Sequence, residues 1–176
     1  MNKPTIYLAG AIRDGVADDI AWREETITAL GKIANIINPM GGKSFDEATG
    51  LWHVSGVPSG ARLIVKHDFW AVDRADIVIF NFTALTQKYP NIGTLVEFGR
   101  ATATGALIYS IIDDKYEGHD NKGMKYGLHP FLAETSACVF QTVSDCINFC
   151  VRHIPVLTGE TPRYGKHKHV VRPFIG

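Results

Sequence analysis

The run DIVIFNF, Asp76 to Phe82, is β-branched and aromatic with no polar alternation, so it can be a strand only where both of its faces are covered. TIYLAG (Thr5 to Gly10), ANIINP (Ala34 to Pro39), ALIYSII (Ala106 to Ile112) and ACVFQ (Ala137 to Gln141) are short runs of the same kind. Between them lie longer segments with helical spacing. DDIAWREETITALGKI repeats Ile20, Ile27, Ala29, Leu30 and Ile33, with Asp18 and Asp19 expected to cap it. Ala61 to Ala75, Gly93 to Thr104 and Thr142 to Arg152 read as further helices. Strands and helices in alternation imply an α/β fold, a flavodoxin-like (Rossmann-like) five-stranded parallel sheet of order 2-1-3-4-5 with helices on both faces.

That order places the site before any residue is considered for chemistry. Winding reverses between the first and third strands, and ligands bind outside the carboxyl ends of the strands at such a reversal. Gly10 to Gly15 and Asn81 to Gly93 are therefore expected to face each other across a crevice. From Met40 to Gly60 no period is visible, glycines recur, and Trp52 and His53 stand in the middle. A loop forming a lid or wall of the site is expected there. One domain is expected over residues 1–153, and residues 154–176 are expected to be a tail against the surface or a neighbouring subunit.

Eighteen basic residues balance eighteen acidic ones, which removes the electrostatic case for nucleic acid or an anionic membrane and leaves a small molecule as the expected partner. No apolar run approaches the roughly 18 residues of a membrane span. Cys138, Cys146 and Cys150 read as buried thiols of a reducing compartment, so a cytoplasmic protein is expected. The histidines show no metal-ligand spacing and no catalytic-triad order, and are expected to serve surface or packing roles. Neither a metal nor a cofactor is expected.

Glu97 is the informative acid. It lies one turn into the helix that begins at the reversal, near the positive end of the helix dipole, beside Gly93, which clears space. Leu95, Phe98, Ala101 and Thr102 are the expected packing face, with Gly99, Ala101 and Ala103 permitting close approach. Of Asp68, Asp73 and Asp76, the last reads as a turn residue, whereas Asp68 sits mid-helix with a weaker structural reason. If Asp68 points into the crevice, it and Glu97 form the carboxylate pair that glycosidic-bond chemistry uses. The loop GAIRDG lacks the dinucleotide-binding spacing, but its backbone around Gly10 and Ala11, together with Arg13, can hold an anion.

IYLAGAI (Ile6 to Ile12), HDFWAVDRADIVI (His67 to Ile79) and GTLVEFGRATATGALI (Gly93 to Ile108) together resemble the nucleoside 2-deoxyribosyltransferase family, which includes the deoxynucleoside 5′-monophosphate N-glycosidases. The resemblance runs in order over residues 4–112. It implies an oligomeric enzyme in which a glutamate, here Glu97, attacks the anomeric carbon of deoxyribose. It further implies that Tyr7 orients that glutamate, that Asp68 belongs to the base and sugar pocket, and that Asn121 reaches a neighbouring subunit's sugar site. Asn91 stands where many transferases have an aspartate, and it has no carboxyl proton to give a leaving base. Arg13 resembles the phosphate-holding loop of the N-glycosidases. The expected reaction is cleavage of the N-glycosidic bond of a 2′-deoxyribonucleoside or its 5′-monophosphate, with the sugar passed to another base or to water; strict hydrolysis of monophosphates and nucleotide binding without turnover are the alternatives.

Overall fold

The computed structural model describes residues 3–13, 16–85, 91–112 and 129–159. Strands β1 (Thr5–Gly10), β2 (Asn35–Ile37), β6 (Ile77–Asn81), β7 (Leu107–Ile111) and β8 (Cys138–Phe140) form one sheet in the order β2-β1-β6-β7-β8, every neighbouring pair parallel. Counting only the strands of this sheet, the order is the expected 2-1-3-4-5. Gly10 pairs with Asn81, so the carboxyl ends of β1 and β6 finish side by side.

Alternate residues of each strand feed two cores, which is why the runs are continuously apolar. Tyr7, Ala9, Val78, Phe80 and Ile108 pack beneath helices α2 (Ala61–Val72) and α3 (Ile92–Thr104). Ile6, Leu8, Ile77, Ile79 and Tyr109 pack beneath α1 (Asp18–Leu30) and α5 (Val143–Leu157), together with Cys146 and Cys150. Thr142 caps α5, accepting from the Asp145 amide at 3.0 Å. A short helix, α4 (Pro130–Ala133), adds Leu132 to the first core. Among the described residues no helix is long and apolar enough to cross a membrane.

Several local expectations are corrected. The segment from Met40 to Gly60 is a second, antiparallel sheet of β3 (Lys43–Asp46), β4 (Leu51–Val54) and β5 (Val57–Ser59). Its strands, KSFD, LWHV and VPS, lack the continuous apolar run of the parallel strands, and its turns use left-handed Gly50 and Gly56. Pro58 is tolerated because β5 is an edge strand. The last helix continues through Pro155 to Leu157, beyond the expected start of the tail at Ile154. Residues 160–176 lie outside the described residues.

Helix α1 buries Asp19, Trp22, Arg23, Thr26 and Leu30, leaving Ile20 and Ala29 exposed. Neither Asp18 nor Asp19 caps it by a side-chain bond, because Asp19 turns back to Arg13. On α3 the buried residues are Thr94, Phe98 and Ala101, while Gly99, Thr102 and Ala103 face solvent. The close approach belongs to Gly10 instead. A Cβ there would lie 3.1 Å from Trp22, 3.2 Å from the Asn81 carbonyl oxygen and 3.3 Å from the Asn81 Cβ. Gly10→Ala is expected to destabilise the fold by about 1–3 kcal/mol, read as a lower denaturation midpoint; an unchanged midpoint would show that the strand ends can separate freely.

Candidate active site

Helix α3 begins at the carboxyl edge of the sheet and lays Phe98 against Phe80 and Phe82, with ring centroids 5.0 and 5.8 Å apart. Burial of rings of this size is worth about 1.5–3 kcal/mol each and fixes the rotation of the helix. Glu97, the residue before Phe98, therefore falls at the border of the buried face, over Tyr7 of β1. The Tyr7 hydroxyl, on a completely buried side chain, donates to Glu97 Oε1 at 2.6 Å. Asp68, in the second half of α2, lines the same crevice.

The crevice has a volume of about 280 Å³ and is lined by Gly10, Ala11 and Arg13 from one side and by Asp68, Asn91, Gly93 and Glu97 from the other. Seven of the residues singled out in the sequence thus border one cavity, and Tyr7 stands behind Glu97. Asn121 lies outside the described residues. Gly93 is exposed and a Cβ on it would meet nothing within 4 Å among the described residues, so packing against them does not require glycine there. Asn91 adopts a left-handed conformation at φ 44°, ψ 52°. Its buried Nδ2 has no hydrogen-bond partner among the described residues.

Burial raises the Glu97 pKa from its ordinary 4.5 to about 7. The Tyr7 hydrogen bond, Lys43 and Arg23 oppose the rise, and the Asp68 charge adds to it. Tyr7 is itself pushed far up, first by burial and then by the charges of Glu97 and Asp68, and it stays a hydrogen-bond donor. The other two acids of the cluster serve the fold. Asp76 accepts the Thr5 amide at 2.8 Å, and Asp73 pairs with Arg100.

Arg13 borders the crevice, but its fork is engaged. Nε and Nη2 donate to the two oxygens of Asp19 at 2.9 and 2.7 Å, and the Arg13 amide donates to the same carboxylate at 2.8 Å. Beneath this pair lies Arg23, fully buried, donating to the carbonyls of Gly10 at 2.9 Å and Ala11 at 3.2 Å and also to that of Asp19. Arg23 holds the loop that frames the crevice. Periodicity did not reveal it, because a charged residue on a helix reads as solvated; the clue was its position four residues after Asp19.

Lys43 also escaped the sequence reading. Its Nζ lies 2.6 Å from Asp68 Oδ1, with the lysine side chain only 3% exposed. His67 Nδ1 approaches the same oxygen at 3.3 Å, which takes His67 from an expected packing role to the edge of the site. A larger cavity of about 480 Å³ adjoins the crevice through Ile12 and Arg13, and Met40 together with Lys43, Phe45 and Trp52 of the smaller sheet lines it. Among the described residues no group of three or more histidine, cysteine, aspartate or glutamate side chains is placed to hold a metal ion.

No curated protein matches the sequence. Among solved structures, a 2-desoxiribosyltransferase from Leishmania mexicana aligns with a TM-score of 0.60 at 20% identity, covering 85% of this chain and 98% of that one. A conserved protein from Enterococcus faecalis V583 aligns with a TM-score of 0.59 at 18% identity, covering 83% and 96%. A CMP N-glycosidase from Clostridium botulinum aligns at 0.50 and 16%, covering 85% and 98%. At these identities the likeness is one of fold. The profile of the nucleoside 2-deoxyribosyltransferase family matches residues 6–129, which is most of the chain and contains every residue that lines the crevice. The chain belongs to the nucleoside 2-deoxyribosyltransferase family, a family of enzymes that transfer deoxyribosyl groups or cleave N-glycosidic bonds.

Proposed function

We propose that this chain cleaves the N-glycosidic bond of a 2′-deoxyribonucleoside or its 5′-monophosphate through a covalent deoxyribosyl–Glu97 intermediate and passes the sugar to another base or to water. The observation that carries this reading is the 2.6 Å bond from Tyr7 to Glu97 in a crevice that Glu97 shares with Asp68. A glutamate aimed by a buried phenol, with one oxygen left for attack, is an oriented nucleophile.

In the first step a Glu97 oxygen bonds to the anomeric carbon while the bond to the base nitrogen breaks, and that bond's electron pair leaves with the base. The base nitrogen then takes up a proton from solvent. In the second step a ring nitrogen of another base, or a water oxygen, attacks the same carbon. The ester bond breaks, its electron pair returns to Glu97, and the attacking atom gives up its proton. Asp68 stands within the crevice to exchange that proton. Asn91 has no carboxyl proton, but its Nδ2, without a partner among the described residues, is a donor for an acceptor atom of the base or sugar.

The base is assigned to the adjoining cavity, where Phe45 and Trp52 lie 5.4 Å apart at 54° and offer an aromatic wall. Trp52→Ala is expected to raise KM about tenfold with a smaller change in kcat; an unchanged KM would place the base elsewhere. Between nucleoside and monophosphate, the Asp19 carboxylate already on the Arg13 fork favours the nucleoside, since a phosphate would meet that negative charge.

The deciding assay supplies purified protein with deoxynucleosides and with their monophosphates, with and without a second free base. Exchanged nucleoside indicates transfer, and free base alone indicates hydrolysis. No base release from any of these substrates would abandon both enzyme readings and leave a nucleotide-binding module.

A further inference from the structure

The smaller sheet sends one charged side chain inward. Lys43 opens β3 just after left-handed Gly42, whose carbonyl accepts the Ser55 amide at 2.7 Å, and the Lys43 amide donates to Met40 at 3.1 Å. The turn thereby fixes where the lysine stem starts. That stem lines the larger cavity, and the ammonium reaches Asp68 of the crevice, 25 residues on in sequence. A lysine loses much rotamer freedom when held in this way, so its burial calls for a compensating role.

Four charged groups converge here from four elements: Glu97 from α3, Asp68 from α2, Lys43 from β3 and Arg23 from α1. Tyr7 of β1 donates to Glu97, and His67 lies against Asp68. Arg13 and Asp19, paired with each other, stand at the loop side. The two acids are balanced by the two cations, and without Lys43 the pocket holds one negative charge in excess.

We propose that Lys43 is a positioning residue: it holds the Asp68 carboxylate in place and supplies the positive charge that lets Glu97 and Asp68 occupy one crevice as a pair of anions. The inference rests on the reading of Glu97 as nucleophile. Lys43 acts through the two carboxylates, its ammonium held on Asp68. The direction of its effect on Glu97, favouring the charged form, agrees with the geometry.

The test uses full-length protein carrying ¹³C-labelled glutamate side chains, with Glu97→Gln to assign the Glu97 resonance. In Lys43→Met the Glu97 titration midpoint is expected to rise by about one pH unit, and in Lys43→Arg to return toward the parent value. The acid limb of kcat should shift in the same way, with KM changing less. Midpoint and limb that overlie those of the parent protein would overturn the proposal.

Should Lys43→Met fail to fold, Asp68→Asn tests the same balance from the other side. It removes a negative charge and frees the ammonium, so the Glu97 midpoint must fall below the parent value; no fall would also overturn the proposal. Parent protein that releases no base while Glu97 titrates as expected refutes the catalytic reading alone. Base release that needs Glu97 but ignores Lys43 refutes only the role of Lys43.

Discussion

Glu97→Gln is expected to lower base release at least about 1,000-fold while making the fold more stable above neutral pH. The loss of activity follows from chemistry: glutamine has the shape of glutamate and can still accept from Tyr7, but its amide oxygen is a poor nucleophile. The gain in stability follows from linkage. The folded protein holds the Glu97 proton up to about pH 7, whereas an ordinary glutamate gives it up near 4.5. The folded state therefore binds more protons than the unfolded state between these values, and the stability that Glu97 contributes is full below the lower one and is lost as pH rises through the upper one. At pH 8 the variant should exceed the parent by about 3 kcal/mol, and at pH 4 the two should be nearly equal. Denaturant titrations at both pH values read the difference. A variant that keeps its activity, or that is the less stable of the two at pH 8, would remove Glu97 from its assigned place.

The same raised pKa sets the pH dependence of the enzyme. Under the proposed mechanism only the carboxylate attacks, so kcat should climb as pH rises through about 7, where a glutamate in water would already be fully ionised at pH 6. Stability and activity thus run in opposite directions over one pH window.

What could be read in the sequence, and what could not, divides along a physical line. The five parallel strands were legible because a strand covered on both faces needs an unbroken apolar run, and DIVIFNF has no other use. Strand order then brought Gly10 and Asn91 to one crevice with Glu97, although they are far apart in the chain. The smaller sheet was not legible, since KSFD, LWHV and VPS carry polar residues and proline where the parallel strands have an unbroken apolar run. Lys43, Asp19 and Arg23 were hidden for another reason. Charged residues are read as solvated by default, and only the tertiary structure shows that Arg23 is needed by the carbonyls of Gly10 and Ala11, or that Lys43 meets Asp68. Helix α3 shows the same limit in reverse: Gly99 and Ala103 looked like packing residues because they are small, yet they face solvent while Thr94 is buried.

Tyr7→Phe should alter the same equilibrium from behind the nucleophile. The phenol is the one donor described on the Glu97 carboxylate, and a donor favours the charged form. Without it the Glu97 midpoint should rise above about 7, and the acid limb of kcat should rise with it. At the plateau, where Glu97 is ionised in both proteins, kcat should still be lower by about 10–100-fold, because a carboxylate without its partner is no longer aimed at the anomeric carbon. Stability separates this from a general packing defect. At pH 8 the variant leaves a buried carboxylate without its donor and should lose about 1.5–3 kcal/mol, whereas at pH 4 the missing bond joins two neutral groups and the loss should be near 1 kcal/mol. In a Glu97→Gln background the pH dependence of that loss should vanish, since no charge remains for the phenol to stabilise. An equal loss at both pH values, with an unmoved acid limb, would make Tyr7 a core residue that happens to touch Glu97 rather than the group that orients it.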